Sequence, residues 1–175
     1  MLEKYKKKMK KLTLSFAFST PAHMVATFFG AGLLRPAPGT WATAIGLALY
    51  GLLEPYLGLK VMVAATAALF AAGVWSCSQT GRDIGEHDHG AIVIDEVFAS
   101  WAVALTVSPS PVMLFAAFLV FRFFDIVKIW PASLVDSHMQ NGFGVMLDDA
   151  VSAVYSALTL WALQSALQNH FFWSI

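Results

Sequence analysis

Long stretches without a charged residue are the feature that most limits how this chain can fold. Five of them cover most of the sequence, at residues 12–34, 41–53, 61–81, 97–121 and 150–175. Charged residues make up 13% of the chain, whereas an ordinary soluble domain has about 25%. Because lipid-facing helices replace the polar surface that a soluble fold presents to water, this pattern predicts a helical membrane protein. The alternative is a soluble, all-helical protein with an unusually large core.

Two of these stretches reach the length that a bilayer requires. A hydrocarbon core of about 30 Å needs roughly 20 helical residues, which residues 61–81 and 150–168 provide. Residues 41–53 reach this length only if their helix continues through Pro55 to Leu59.

The stretch 97–121 is predicted to form a helical hairpin rather than one helix. Its segment 108–111 reads Ser-Pro-Ser-Pro, and two prolines this close together end a helix. One arm is expected at residues 91–107 and the other at 112–130. Each arm approaches spanning length only if its charged end is included.

The N-terminal region is predicted to lie at the membrane surface. Residues 1–11 form a basic tail with six of the eleven Lys and Arg residues, which is typical of a cytoplasmic anchor on anionic headgroups. A solvated terminus is the alternative, and the cluster is too small to predict a nucleic-acid surface. In residues 12–34, Pro21, His23 and Gly30 interrupt the helical pattern, which favours an interfacial or re-entrant segment.

These features together predict an all-α fold. We expect a multihelical membrane bundle of about five spanning helices plus an N-terminal interfacial or re-entrant helix. Residues 12–175 would form a single helical domain, with a cytoplasmic N-terminus and an external C-terminus. The sequence has one cysteine, Cys77, so an intrachain disulfide is excluded.

Acidic residues gather in three short polar segments between the apolar stretches. They are the pair Asp95 and Glu96, the single Asp125, and the pair Asp148 and Asp149. Carboxylates at the ends of apolar helices are energetically costly, and adjacent carboxylates repel each other more strongly when they are buried. The predicted topology places all three segments on one side of the membrane, so we expect these five side chains to bind a cation.

The ligand types favour Mg²⁺ or Mn²⁺ over Zn²⁺, because oxygen donors dominate the set. His87 and His89 precede the first acidic pair, and we interpret them as outer donors or solvated loop residues rather than zinc ligands. For Asp148 and Asp149 the alternative interpretation is that they cap the start of the last helix.

Cationic side chains accompany the acids. Arg122, Asp125 and Lys128 are three residues apart and therefore share one side of a helix. Arginine suits a phosphate group as a planar fork and lysine as a point charge; the alternative is an interfacial stripe of ion pairs. Arg35 and Thr40 flank a Pro-Ala-Pro-Gly turn, and they become candidate phosphate ligands if that turn lies near the site.

Four segments together resemble the phosphatidylglycerophosphatase A family. They are residues 35–40, 87–96 (HDHGAIVIDE), 121–131 (FRFFDIVKIWP) and 142–149 (GFGVMLDD). They occur in the family's order and at similar spacing, and the resemblance covers residues 23–160. Ala99 stands where relatives are expected to have glycine, so a small residue is kept. The basic tail and the residues after Gln164 lie outside the resemblance.

The resemblance implies a Mg²⁺-dependent lipid phosphatase of the bacterial cell inner membrane. It also implies a multihelical fold, and the predicted topology makes the protein multi-pass with its active site facing the cytoplasm. Such an enzyme hydrolyses phosphatidylglycerophosphate, a phospholipid in the membrane, to phosphatidylglycerol and inorganic phosphate. No protein partner and no nucleic acid is indicated.

Residue types and resemblance together assign three groups of site residues. The expected catalytic residues are Asp95, Glu96, Asp125, Asp149 and Lys128. The expected metal ligands are Asp95, Glu96, Asp125, Asp148 and Asp149. The expected substrate contacts are Arg35, Thr40, His87, His89, Arg122 and Lys128.

A small cation transporter or channel is the alternative function, because carboxylates on membrane helices also line ion paths. Such a path would place its acids near the middle of the membrane, on a broken helix.

Overall fold

A computed structural model of the chain describes residues 12–172, and the predicted basic tail at 1–11 lies outside this part. The helices are α1 (Leu14–Ala17), α2 (Pro21–Ala26), α3 (Pro38–Leu57), α4 (Leu59–Ile84), α5 (Ile94–Ala104), α6 (Pro111–Val127), α7 (Ala132–His138) and α8 (Gly142–Phe172), with a short 3₁₀ helix at Ala31–Leu33. Within residues 12–172 all regular secondary structure is helical, which confirms the predicted fold class at this level.

Helix α5 forms the centre of the bundle and packs against α3, α4, α6 and α8. Its residues are apolar on nearly every side, as expected for a helix surrounded by other helices. Trp101 fixes it to α3, because its indole N–H donates to the carbonyl oxygen of Gly46 at 2.7 Å. The same ring packs edge to face against Tyr50. The start of α5, which carries the first acidic pair, is thereby held at one end of the bundle.

We expect Trp101→Phe to lower the free energy of unfolding by about 1–3 kcal/mol, through the lost hydrogen bond and the reduced packing. Thermal unfolding in detergent, followed by circular dichroism, measures the effect. Trp161→Phe is the matched control, since Trp161 on α8 is 66% exposed. An equal loss of stability in both variants would contradict this role of Trp101.

Two helices of the described part are long and apolar enough to cross a membrane: α4, and residues Gly142–Ala166 of α8. They correspond to the stretches that the sequence placed at 61–81 and 150–168, and they indicate membrane association. Helix α3 continues through Pro55 and ends at Leu57, close to the predicted end. The count of five spans stays a prediction.

The hairpin breaks at the predicted proline segment, but its first arm is shorter than expected. Helix α5 has 11 residues, or about 16 Å at 1.5 Å per residue, so the arm predicted at 91–107 does not form one spanning helix. The residues before α5 do not continue its helix. The backbone N–H of Val93 donates to the carbonyl oxygen of Ala26 on α2 at 2.8 Å instead. Helix α6 ends at Val127, and Lys128, the residue that caps it, has a left-handed backbone with φ 46°.

The N-terminal stretch contains no long helix. Helix α1 has four residues and α2 has six, and Pro21 begins α2 while Gly30 adopts φ 89°. His23 is buried and its Nε2 lies 2.9 Å from the carboxylate of Asp83, which joins α2 to α4. Residues 12–34 thus pack on the bundle as short turns, and their interfacial location stays a prediction.

The last helix begins earlier than the sequence indicated. It starts at Gly142, so Asp148 and Asp149 lie in its second and third turns and are not capping residues. The side-chain oxygen of Asn141 accepts the N–H of Gly144 at 2.9 Å and takes the capping role instead. The two acids therefore need an explanation other than helix capping.

Candidate active site

Three carboxylates from two helices meet at one buried point. Asp95 and Glu96 lie in the first turn of α5 and Asp149 lies on α8, and one oxygen of each falls within 4.8 Å of the other two. Asp95 and Asp149 are buried, and Glu96 is half-buried. Because three negative charges this close repel each other strongly, the arrangement requires a cation or protons to neutralise it. We call these three residues the acid triad.

The other two predicted metal ligands, Asp125 and Asp148, form ion pairs with cationic side chains. Asp125 contacts Nη1 of Arg122, and Asp148 Oδ2 accepts a hydrogen bond from Lys128 Nζ at 2.6 Å. Both acids are buried and interact electrostatically with the triad, Asp125 with Asp149 and Asp148 with Asp95. The five acids thus form one cluster, in which three share a point and two hold cations beside it.

Arg122 joins the two parts of the cluster. Its Nη1 lies 3.8 Å from Glu96 Oε1 in addition to its contact with Asp125. Nε and Nη1 are buried, and neither makes a hydrogen bond within the part of the chain that the structure describes. A guanidinium whose Nε–H is unused, beside a carboxylate cluster, is suited to bind an anion that also touches the cation.

The triad has the donor atoms that a hard divalent cation needs. Glu96 Oε2 and Asp149 Oδ2 are buried, and neither has a hydrogen-bond partner among residues 12–172. Buried carboxylate oxygens without a donor are costly and call for a ligand. An all-oxygen set fits Mg²⁺ or Mn²⁺ better than Zn²⁺, so the residues present fit the cation predicted from the sequence.

The start of α3 closes the cluster from a third side. A Cβ added at Gly39 would overlap Glu96 Oε1 and lie 2.8 Å from Glu96 Cδ and 3.3 Å from Arg122 Nη1. Only glycine therefore lets the Glu96 carboxylate approach the backbone of α3. Sequence reasoning missed this contact, because Pro38 and Gly39 on their own indicate only the start of a helix.

Two predicted substrate contacts share a cavity next to the cluster. Arg35 and His89 line a space of about 380 Å³ that extends to Pro38, the neighbour of Gly39. His89 is buried; its Nδ1 accepts the backbone N–H of Ala91 at 3.1 Å, and its Nε2 has no partner in the described part of the chain.

The remaining predicted contacts lie elsewhere around the cluster. Thr40 is half-buried in the first turn of α3. His87 lines a second cavity of about 220 Å³ together with Arg82 and Asn141, and it does not belong to the group that meets at the triad. Asp88, which was not among the predicted site residues, is exposed and interacts electrostatically with Asp95.

Comparison with known proteins decides the family. A family model described as phosphatidylglycerophosphatase A matches residues 24–164. The chain belongs to the phosphatidylglycerophosphatase A family. The match includes all four segments on which the resemblance was based, and it begins after the basic tail.

Three curated relatives align with most of the chain. A phosphatidylglycerophosphatase A of Haemophilus influenzae is 41% identical over 157 residues, which cover 89% of this chain and 94% of that protein. The phosphatidylglycerophosphatase A of Escherichia coli K12 is 34% identical over 144 residues, which cover 82% of this chain and 83% of that protein. A protein of Bacteroides thetaiotaomicron, provisionally named as a phosphatidylinositol-3-phosphatase, is 36% identical over 145 residues. The alignment covers 78% of this chain and 89% of that protein. No solved structure matches the chain.

Proposed function

We propose that the protein hydrolyses phosphatidylglycerophosphate to phosphatidylglycerol and inorganic phosphate. The observation that carries this proposal is the buried acid triad beside Arg122, which combines a cation site with a phosphate site. Membership of the phosphatidylglycerophosphatase A family supplies the substrate, because two curated relatives bear that name.

The proposed cofactor is Mg²⁺, held by Asp95, Glu96 and Asp149. A divalent cation bound there supplies Lewis-acid stabilisation of the phosphate oxygens and a water nucleophile of increased acidity. Asp125 and Asp148 complete the cluster, either as further metal ligands or by holding the cationic side chains of Arg122 and Lys128 in place.

The cationic side chains bind and orient the phosphate group. Arg122 can offer its unused Nε–H to the phosphate oxygens, and Lys128 adds a positive charge from the end of α6. Both charges oppose the negative charge that builds up on the phosphoryl group as the bond to the glycerol oxygen breaks. Asp125 and Asp148 fix the positions of Arg122 and Lys128 through their ion pairs.

The leaving glycerol oxygen takes up a proton that the attacking water releases, and His89 is suited to donate a hydrogen bond to that oxygen. Its Nδ1 accepts a backbone N–H, so the proton of the neutral ring is on Nε2. His89 also lines the cavity with Arg35, which can hold the rest of the headgroup. His87 is the second candidate for this role.

The proposed location is the bacterial inner membrane, with a multi-pass fold and the active site facing the cytoplasm. The outer side of α6 supports it, since large exposed apolar side chains recur there at helical spacing. They are Phe115, Leu119, Phe123 and Ile126. An exposed apolar face of this size is suited to lipid.

A reporter domain fused after Ile175 tests the orientation, and the five-span topology predicts that it reads as external. A cytoplasmic reading would contradict that topology. The same fusion placed before residue 12 is the control and is expected to read as cytoplasmic.

The position of the acids argues against the transporter alternative. Asp95 and Glu96 lie in the first turn of α5, and Asp125 lies in the last turn of α6. The cluster is therefore at one end of the bundle, whereas an ion path needs its acids near the middle of the membrane.

Phosphate release by the purified full-length protein tests the proposed function. We expect release from phosphatidylglycerophosphate with Mg²⁺, less release from phosphatidic acid, and none with EDTA. Full activity with EDTA would overturn the proposed cofactor. Ion flux into liposomes without phosphate release from either lipid would overturn the enzyme and favour the transporter.

A further inference from the structure

An apolar groove of about 410 Å³ lies between α3 and α6. Small residues of α3 form its floor, and larger residues of α6 form its wall. They are Ala44, Ala48 and Gly51 on α3, and Leu114, Phe115 and Phe118 on α6. Phe115 is 63% exposed, so the groove opens on the outside of the bundle.

The groove lies along the same two helices that flank the acid triad. Helix α3 begins beside Glu96, at Gly39, and α6 carries Arg122, which also contacts Glu96. Ala44 and Gly51 follow Gly39 by five and twelve residues, which places the groove about 7.5 to 18 Å from it at 1.5 Å per residue. One leaflet of the hydrocarbon core is about 15 Å deep, half of the 30 Å total.

We propose that this groove binds one acyl chain of the phospholipid substrate while its phosphate lies at the acid triad. The inference rests on the proposed function, because only a lipid substrate has a chain that leaves the triad in this direction. Chains of bulk lipid already lie in hydrocarbon, so binding in the groove adds packing and position rather than escape from water. Its contribution is to hold the phosphate in reacting geometry.

Ala48→Phe tests the proposal, because the added ring fills the groove at a position about two and a half helical turns along α3 from Gly39. Leu52→Phe is the matched control on the same helix, since Leu52 is 62% exposed and lies outside the groove. Each variant is assayed with dioleoyl and with dihexanoyl phosphatidylglycerophosphate, whose much shorter chains reach less far along the groove. We expect Ala48→Phe to lower kcat/KM about tenfold for the dioleoyl lipid and less than about twofold for the dihexanoyl lipid.

Two outcomes of the Ala48→Phe assay would overturn the proposal. An equal loss with both lipids would mean that the ring disturbs the acid triad, and no loss with either would mean that the groove holds bulk lipid only. Phe115→Ala widens the groove without adding bulk, and we expect it to reduce the preference for the dioleoyl lipid; an unchanged preference would also overturn the proposal. Failure of the proposed function is distinguishable, since the unaltered protein would then release phosphate from neither lipid.

Discussion

Asp149→Asn is expected to lower phosphate release by about a thousandfold, an effect of the size seen when a positioned charge-stabilising group is lost. The amide keeps the shape of the side chain but removes one of the three negative charges that share the buried point. Asp149 Oδ2 has no hydrogen-bond partner in the described part of the chain, so the change breaks no structural bond at that atom. We therefore expect the helical content and the thermal unfolding of the variant to stay close to those of the unaltered protein.

The metal affinity of the same variant separates a ligand role from other roles. Binding of Mn²⁺, followed by electron paramagnetic resonance in the absence of substrate, is expected to weaken strongly in Asp149→Asn. Asp83→Asn is the control, because Asp83 is an aspartate on α4 that pairs with His23 and does not belong to the triad. Unchanged Mn²⁺ affinity in Asp149→Asn would contradict the proposed metal site.

The gathering of the acids at one end of the bundle could be predicted, because apolar stretches and charged segments alternate along the chain. Apolar stretches that end in charged residues must cross or return, and counting the crossings places Asp95, Asp125 and Asp149 at one end. The pairing within the cluster could not be predicted in the same way. Whether Asp125 binds a cation or holds Arg122 depends on side-chain directions at distances of a few ångströms, which residue order does not determine.

The lengths of the helices could not be predicted from hydropathy alone. Hydropathy does not distinguish a helix surrounded by protein from one surrounded by lipid, since both are apolar on all sides. Helix α5 is of the first kind, which is why the arm predicted at 91–107 is an 11-residue helix in the structure. The early start of α8 was missed because Gly142 and Gly144 indicate a loop by composition. In the structure an added Cβ at Gly142 would overlap Ser78, and at Gly144 it would overlap Met139.

Gly39→Ala is expected to lower kcat by about a hundredfold, since a displacement of about 1 Å in a reacting site can cost that much. The added Cβ overlaps Glu96 Oε1, so the carboxylate has to leave its position beside Arg122 and the triad. The concentration of Mg²⁺ that gives half-maximal activity should rise at the same time. Gly90→Ala is the control, because a Cβ at Gly90 meets no atom within 4 Å, and its Mg²⁺ requirement is expected to stay unchanged.

A double variant shows whether Gly39 acts through Glu96 or through the fold of α3. Glu96→Asp shortens the acid by one methylene group and makes room for the Cβ that Gly39→Ala adds, so the two changes should compensate in part. The loss of kcat in Gly39→Ala combined with Glu96→Asp is then smaller than the product of the single losses, which a double-mutant cycle measures directly. Multiplicative losses, together with lower thermal stability of Gly39→Ala, would mean that the glycine serves helix packing alone. Because the overlap involves Glu96 Oε1 in particular, the expected result is compensation in kcat and in the Mg²⁺ requirement.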